Sequence, residues 1–203
     1  MIMRKPKLLI VAGPNGSGKT SVTDKILKHV WIDDCEYINP DNIAHDMFGD
    51  WNSSEAILQA ARYSAKKREE CIICGRSLIF ETVLSAPDKI SFIERAKQQG
   101  YFTRLFFIGT DSPQINAMRI VRRVMNGGHN VPAEKIAGRY YKSIGNCALL
   151  APMVDRLYVY DNSVENASPE LLFRASEGIL VKQYADIHAW ANIIFQTVCN
   201  PQL

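Results

Sequence analysis

Several things are scarce in this 203-residue sequence, and each scarcity removes a class of function. No apolar run approaches the ~20 residues that a membrane-spanning helix needs, so a membrane partner is not expected. The net charge is only +3, from 24 basic and 21 acidic side chains, too near balance to argue for a nucleic-acid or membrane surface. No basic, aromatic-rich groove is apparent, which weighs against nucleic acid. Five cysteines, at positions 35, 71, 74, 147 and 199, make no disulfide framework. Cys71 and Cys74 have C-x-x-C spacing, but no second pair or paired histidines accompany them, so no transition-metal site is expected. At the end of a helical stretch they read as buried apolar thiols. Repeats, low-complexity tracts and long linkers are absent. Met1 to Lys7 runs straight into an apolar strand and leaves no room for a signal peptide. The expected setting is a reduced cytoplasm.

What is present is an ordinary core-forming composition, 47% apolar and 22% charged, suited to a single domain over residues 1–203. Its most informative stretch is Gly13-Pro14-Asn15-Gly16-Ser17-Gly18-Lys19-Thr20, a complete G-x-x-x-x-G-K-T. An apolar run, Lys7 to Ala12, precedes it, and a helical pattern from Ser21 to Val30 follows. Strand, glycine loop and helix together predict a phosphate-binding loop. Glycines let successive amides converge on phosphate oxygens, and the helix adds its positive end. Lys19 would bridge the β- and γ-phosphates and Thr20 would ligate Mg²⁺. A nucleoside triphosphate is therefore the expected ligand, with Gly13, Asn15, Gly16, Ser17, Gly18, Lys19 and Thr20 around it.

Strands are predicted at Cys35–Ile38, Ser77–Phe80, Tyr101–Ile108 and Arg156–Tyr160, alternating with helices near 41–44, 54–73, 87–99, 114–125 and 132–150. This alternation predicts an α/β P-loop NTPase fold, a five-stranded mostly parallel sheet with helices on both faces. Glu177-Gly178 reads as a hairpin turn between Leu171–Ser176 and Ile179–Tyr184. A final amphipathic helix carries Trp190, Ile193, Ile194 and Val198 at helical spacing, its expected apolar face. Residues 164–203 are thus a hairpin-helix appendage, and residues 112–150 a helical lid region. The Lys66-Lys67-Arg68-Glu69-Glu70 run reads as a solvated helix face.

Ligands of such sheets bind beyond the carboxyl ends of the strands. Asn39 and Asp41 follow the second strand, Glu81 and Thr82 the third, Asp111 the fourth, and Asp161 and Asn162 the fifth. Asp41 is the candidate base, at a helix N-terminus whose dipole favours negative charge; a simple helix cap is its alternative. Glu81 could face metal or acceptor. Asp111 reads as a helix-capping acid, and Asn162 as an amide able to read a base edge. Arg119 and Arg123 project together at helical spacing, away from Met118, Val121 and Met125. With Gly127-Gly128-His129 as hinge and Arg139 beyond it, they suggest a lid over triphosphate. His129 alone reads as structural.

The order of motifs resembles the zeta-toxin family of P-loop kinases, and most closely its smaller chromosomal members. The resemblance rests on Val11–Thr20, Ile38–Asp41, Phe80–Ser85, Leu105–Gly109, Arg123–Pro132 with Ile136 and Arg139-Tyr140, and Tyr158–Ser163. It implies ATP as donor, Mg²⁺, and transfer to a hydroxyl of UDP-N-acetylglucosamine or a related UDP-amino sugar. Carried onto this chain, it gives Lys19 and Thr20 their phosphate and magnesium roles, makes Asp41 the base, and assigns Glu81 to acceptor binding. Two of Arg119, Arg123 and Arg139 would be the lid arginines. An antitoxin protein is the macromolecular partner it suggests. Two alternatives stay open: a kinase for another metabolite or a nucleic-acid end, and a nucleotide-dependent switch without a small-molecule acceptor.

Overall fold

A computed structural model describes residues 5–29, 32, 34–48, 53–128 and 130–200; His129 lies outside the described residues. The elements are β1 (Lys7–Ala12), α1 (Lys19–Ile26), β2 (Glu36–Ile38), α2 (Pro40–Phe48), α3 (Ser54–Ile73), β3 (Leu78–Thr82), α4 (Pro87–Gln98), β4 (Phe102–Gly109), α5 (Pro113–Met125), α6 (Ala133–Leu150), β5 (Arg156–Asp161), β6 (Glu170–Ser176), β7 (Ile179–Gln183) and, after a 3₁₀ turn at Ala189–Ala191, α7 (Asn192–Cys199). They build one sheet of order β2-β3-β1-β4-β5-β6-β7. The first five strands are parallel, and β6 and β7 add antiparallel.

The central strands are apolar almost throughout because helices cover both sheet faces. One face sets Leu9, Val11, Ile79, Phe106 and Ile108 against Val22 and Ile26 of α1. The other sets Leu8, Ile10, Phe80 and Phe107 against Phe92 of α4, Ile144 of α6 and Ile194 of α7. Because the pleat alternates, neighbouring residues of β3 serve opposite faces. Chain order reverses about β1, which puts the loop after it at the topological switch point.

The α/β expectation holds, with seven strands in the sheet instead of five. The hairpin is where the sequence puts it, but it prolongs the sheet because β6 pairs with β5. Glu177 and Gly178 both have positive φ (51° and 77°), the backbone of a type I′ turn. β3 runs two residues further than expected, through Glu81 and Thr82, because both register with Val11 and Ala12 of β1.

Four expectations about burial are corrected. Arg68, in the run expected to be solvated, is only 5% exposed, because it lies between α3, Phe80 and Phe92. Cys71 is buried but Cys74, at the helix end, is exposed. Ile193 points outward while Ile194 and Val198 enter the core. On α5, Met118, Val121 and Met125 are 58%, 58% and 80% exposed, whereas Asn116 and Ile120 are buried. The helix is turned by its neighbours: the phosphate loop rests on the backbone of Asn116, and Ile120 packs with Val131 and Ile136.

The C-terminal segment is held to the sheet by Trp190. Its indole Nε1 donates to Asp161 Oδ1 at 2.9 Å, and its ring lies on Gly109, where an added Cβ would come within 2.3 Å of it. Filling that contact forces a bulky ring off a close-packed surface. Gly109→Ala is therefore expected to destabilise the fold by about 1–3 kcal/mol, read as a lowered midpoint in urea unfolding followed by tryptophan fluorescence.

Candidate active site

The loop from Gly13 to Thr20 joins β1 to α1 and is shaped by backbone contacts that no side chain would permit. At Gly16 φ is +78°, and an added Cβ would lie 2.6 Å from the Asn116 carbonyl oxygen of α5. Gly18, φ +85°, caps α1 in the left-handed region, and a Cβ there would meet Asn162 Nδ2 at 2.2 Å. That amide donates to Ser17 O at 2.8 Å, so Asn162 braces the loop backbone. The loop is thereby wedged between α5 and the end of β5. Ser17 Oγ is buried without a partner among the described residues, an orphan donor inside the cradle. Glycine-lined backbone and an unsatisfied hydroxyl fit the phosphates of a nucleotide.

Lys19 Nζ donates to Gly13 O at 2.9 Å and Pro14 O at 3.1 Å. Burial pushes its pKa below the ordinary lysine value; the nearby carboxylates of Glu81 and then Asp41 oppose this, and Arg123 adds to it. One ammonium thus feels groups from β3, α2 and α5, which are far apart in sequence. Thr20 is exposed at the first turn of α1. Its hydroxyl and the carboxylates of Asp41 and Glu81, whose charges act on Lys19, are all oxygen donors, the ligand type Mg²⁺ prefers.

Glu81 ends β3 almost fully buried, and its partner is Tyr37 of β2. The phenol donates to Glu81 Oε1 at 2.5 Å and accepts from Asn39 Nδ2 at 3.0 Å. Burial, and next the charge of Glu81, hold the Tyr37 pKa far above its usual value, so the phenol stays a donor. Asn39 Oδ1 accepts the Asp41 amide at 2.9 Å. Asn39 therefore caps α2 and links Asp41 to Glu81 through Tyr37. Thr82 Oγ1 accepts the Leu84 amide at 3.0 Å and shapes the loop after β3. Tyr37 escaped the sequence reading; its position two residues before Asn39, on the strand beside β3, was the available signal.

The three candidate arginines separate. Arg139 Nη1 reaches Asn15 Oδ1 of the phosphate loop at 3.4 Å, and Arg123 is close enough to act on Lys19. Arg119 turns away, with Nη2 3.5 Å from Ser163 O and 3.4 Å from Val164 O. Arg123 and Arg139 are the two on the phosphate side. The far half of α6 is core, with Ile144, Cys147 and Leu150 buried, and Tyr140 Oη donates to Thr110 O at 2.6 Å.

Asp111 is not the cap of α5; Ser112 Oγ accepts the Ile115 amide instead. Asp111 Oδ1 lies 2.7 Å from His188 Nδ1, and buried Asp161 takes Ser163 Oγ at 2.7 Å beside the Trp190 indole. The appendage thus reaches the carboxyl edge through His188. A cavity of about 620 Å³ lined by Glu170, Gln183, Tyr184, Ala185, Asp186 and His188 opens beside it.

Comparison with known proteins settles the affiliation. The sequence matches the zeta toxin family over residues 2–167. The chain belongs to the zeta toxin family. The match ends just after β5, so the hairpin and α7 lie beyond the family segment. An uncharacterized protein of Haemophilus influenzae is 29% identical over 134 residues, covering 66% of this chain and 92% of that protein. Among solved structures, one from the PezAT chromosomal toxin–antitoxin system of Streptococcus pneumoniae is similar at TM-score 0.64, with 15% identity over 96% of this chain and 79% of that one. The AvrRxo1-ORF1:AvrRxo1-ORF2 complex with ATP gives TM-score 0.64 and 18% identity, over 99% of this chain and 65% of that one. These likenesses establish a P-loop kinase fold for this zeta toxin family member. No helix among the described residues is long and apolar enough to cross a membrane.

The His188–Asp111 contact carries a pH signature. The His188 pKa is raised, chiefly by the hydrogen bond to Asp111 and then by the charge of Asp161, against burial. A folded-state value above the unfolded one stabilises fully below about pH 6.5 and loses that stabilisation as pH rises through the folded value. Unfolding free energies measured between pH 5.5 and 9 should decline by about 0.5–1 kcal/mol more in the wild type than in His188→Gln.

Proposed function

We propose that this zeta toxin family member is a cytoplasmic phosphotransferase that moves the γ-phosphoryl group of ATP to a hydroxyl of a small molecule. The acceptor class we propose is a UDP-amino sugar such as UDP-N-acetylglucosamine, on family affiliation and the match of Ile38–Asp41 and Phe80–Ser85. The observation that carries the reading is the convergence on Lys19. Asp41 and Glu81 approach it from two strand ends and Arg123 from α5, the pairing of acceptor-side acid with donor-side cation that phosphoryl transfer needs.

In this reading Asp41 accepts the proton of the acceptor hydroxyl as its oxygen attacks the γ-phosphorus. The bond from that phosphorus to the β-γ bridging oxygen breaks and ADP leaves. Lys19, Arg123 and Arg139 neutralise charge on the transferring oxygens. Thr20 and Glu81 would hold Mg²⁺, which supplies charge neutralisation at the phosphates. Tyr37 and Asn39 keep Glu81 and Asp41 in register, and Asn162 keeps the loop shaped for the donor. ATP as donor draws support from the ATP-containing AvrRxo1 neighbour. The toxin–antitoxin origin of the pneumococcal neighbour extends the proposal to an antitoxin partner.

ADP release with Mg-ATP, measured with and without UDP-N-acetylglucosamine, tests the proposal. Stimulation is expected, with a sugar nucleotide one phosphate heavier by mass spectrometry. Absence of stimulation would discard this acceptor, and ADP release that no metabolite pool stimulates would discard the kinase. Asp41→Asn should bind ATP nearly as the wild type does while lowering turnover about 10²–10⁴-fold. Lys19→Ala should abolish transfer and weaken ATP binding as well.

A further inference from the structure

Beyond β4 the two faces of the sheet are covered unequally. Along β5 exposure alternates: Leu157, Val159 and Asp161 are buried, whereas Arg156, Tyr158 and Tyr160 keep part of their surface in solvent. Leu157 and Val159 join the core beneath α6 and α7. On the opposite face α1 covers β1, β3 and the Phe106–Ile108 part of β4. Farther out, no helix among the described residues packs on β6 or β7 from that side.

That open face pairs cation with cation. Arg104 of β4 stands directly opposite Arg156 of β5, and Arg174 of β6 directly opposite Lys182 of β7. Tyr158 of β5 faces Arg174 between the two pairs. Neighbouring strands lie ~4.8 Å apart, so the pairs are on the order of 10 Å from each other. Like charges directly opposed destabilise a sheet, and no register position on this face carries an acid. The guanidinium carbons of Arg104 and Arg156 lie 5.4 and 5.7 Å from the ring centre of Phe102. Arg156 Nη1 donates to the neutral oxygens Asp155 O and Ser176 Oγ. Arg174 Nε is buried without a hydrogen-bond partner among the described residues, and neither Arg174 nor Lys182 forms an ion pair there. The rings are continuous with these charges. Tyr158 stacks on Phe106 at 4.9 Å, and Lys182 Nζ lies 4.8 Å from the ring centre of Tyr184. Burial, then the nearness of Tyr158 and Tyr184, raises the Tyr160 pKa, so the three phenols adjoin toward the carboxyl edge.

We infer that the open face of β4 to β7 binds single-stranded nucleic acid. Backbone phosphates set between the opposed cations relieve their repulsion, and arginine takes phosphate through two bonds at once. Unstacked bases lie on the phenol rings and guanidinium planes, which serve any base because every base has a flat face. A duplex hides those faces, and an acidic peptide meets the cations but leaves the rings unused. The residues are scattered from 102 to 184, so no basic, aromatic stretch appears along the chain; strand pairing assembles it. The surface is separate from the phosphate loop, and the inference does not depend on the acceptor proposed above.

The test is fluorescence anisotropy of a labelled oligothymidylate on protein saturated with a non-hydrolysable ATP analogue, so that the phosphate loop is filled. Saturable binding is expected, weakening as salt rises and weaker still for the matching duplex. The double variant Arg174→Gln, Lys182→Gln removes one cation pair. It should bind about tenfold or more weakly, with a log–log salt slope shallower by about 1.4, ~0.7 for each lost phosphate contact. Its melting temperature should hold or rise, because opposed charges are gone. No saturable binding by the wild type, unchanged binding by the variant, or a preference for duplex would overturn the inference. Polyglutamate that displaces the label as well as unlabelled oligothymidylate does would overturn it too, assigning the face to an acidic protein. If the double variant does not fold, photocrosslinking of a 5-iodouracil-substituted strand to the wild type decides. Adducts on the tyrosines of β5 and on Tyr184 are expected, and adducts only elsewhere, or none, would refute the site.

Discussion

Backbone of the phosphate loop is pressed against backbone and amide groups of two other elements, and the rest of the site depends on that contact. Gly16 lies against the Asn116 carbonyl of α5, and Gly18 against the Asn162 amide beyond β5. Such approaches require residues without a Cβ and left-handed backbone torsions. They also tie the positions of α5 and the β5 edge to the loop. Arg123 is carried by the helix that backs Gly16, so this cation and the cradle share one support.

Charge at the site is balanced across distant segments. Loss of water around Lys19 disfavours its charged form, while Glu81 and Asp41 oppose that effect and the Gly13 and Pro14 carbonyls accept from its ammonium. The Glu81 carboxylate and the Asp41 backbone amide are joined by the Asn39–Tyr37–Glu81 chain of hydrogen bonds. In a low-dielectric site such a chain holds geometry strongly, because any member left unpaired is costly.

The segment after β5 is more than an edge extension. β6 and β7 lengthen the sheet, and the return of the chain sets Trp190 on Gly109 and His188 beside Asp111. The ends of β4 and β5 are therefore buttressed by residues that the zeta toxin match does not reach. This braces Asp161 and Asn162, and through Asn162 the phosphate loop.

Much of this was legible in the chain itself. The glycine loop between an apolar strand and a helix, the alternation of short strands with helices, and the Glu177-Gly178 turn are local patterns, and local sterics make them readable. Those patterns determined the P-loop α/β fold, the hairpin and the strand-end positions of Asp41, Glu81 and Asn162. Tertiary structure alone decided which face of α5 turns inward, because loop backbone contacts outweigh a modest apolar stripe. It alone buried Arg68 from within a run of charges, since α4 and β3 supply aromatic faces that no nearby residue announces. It separated Arg119 from Arg123 and Arg139, joined Tyr37 to Glu81 across strands, and brought His188 to Asp111. Each of these is a contact between residues distant in sequence, and periodicity carries no record of such pairings.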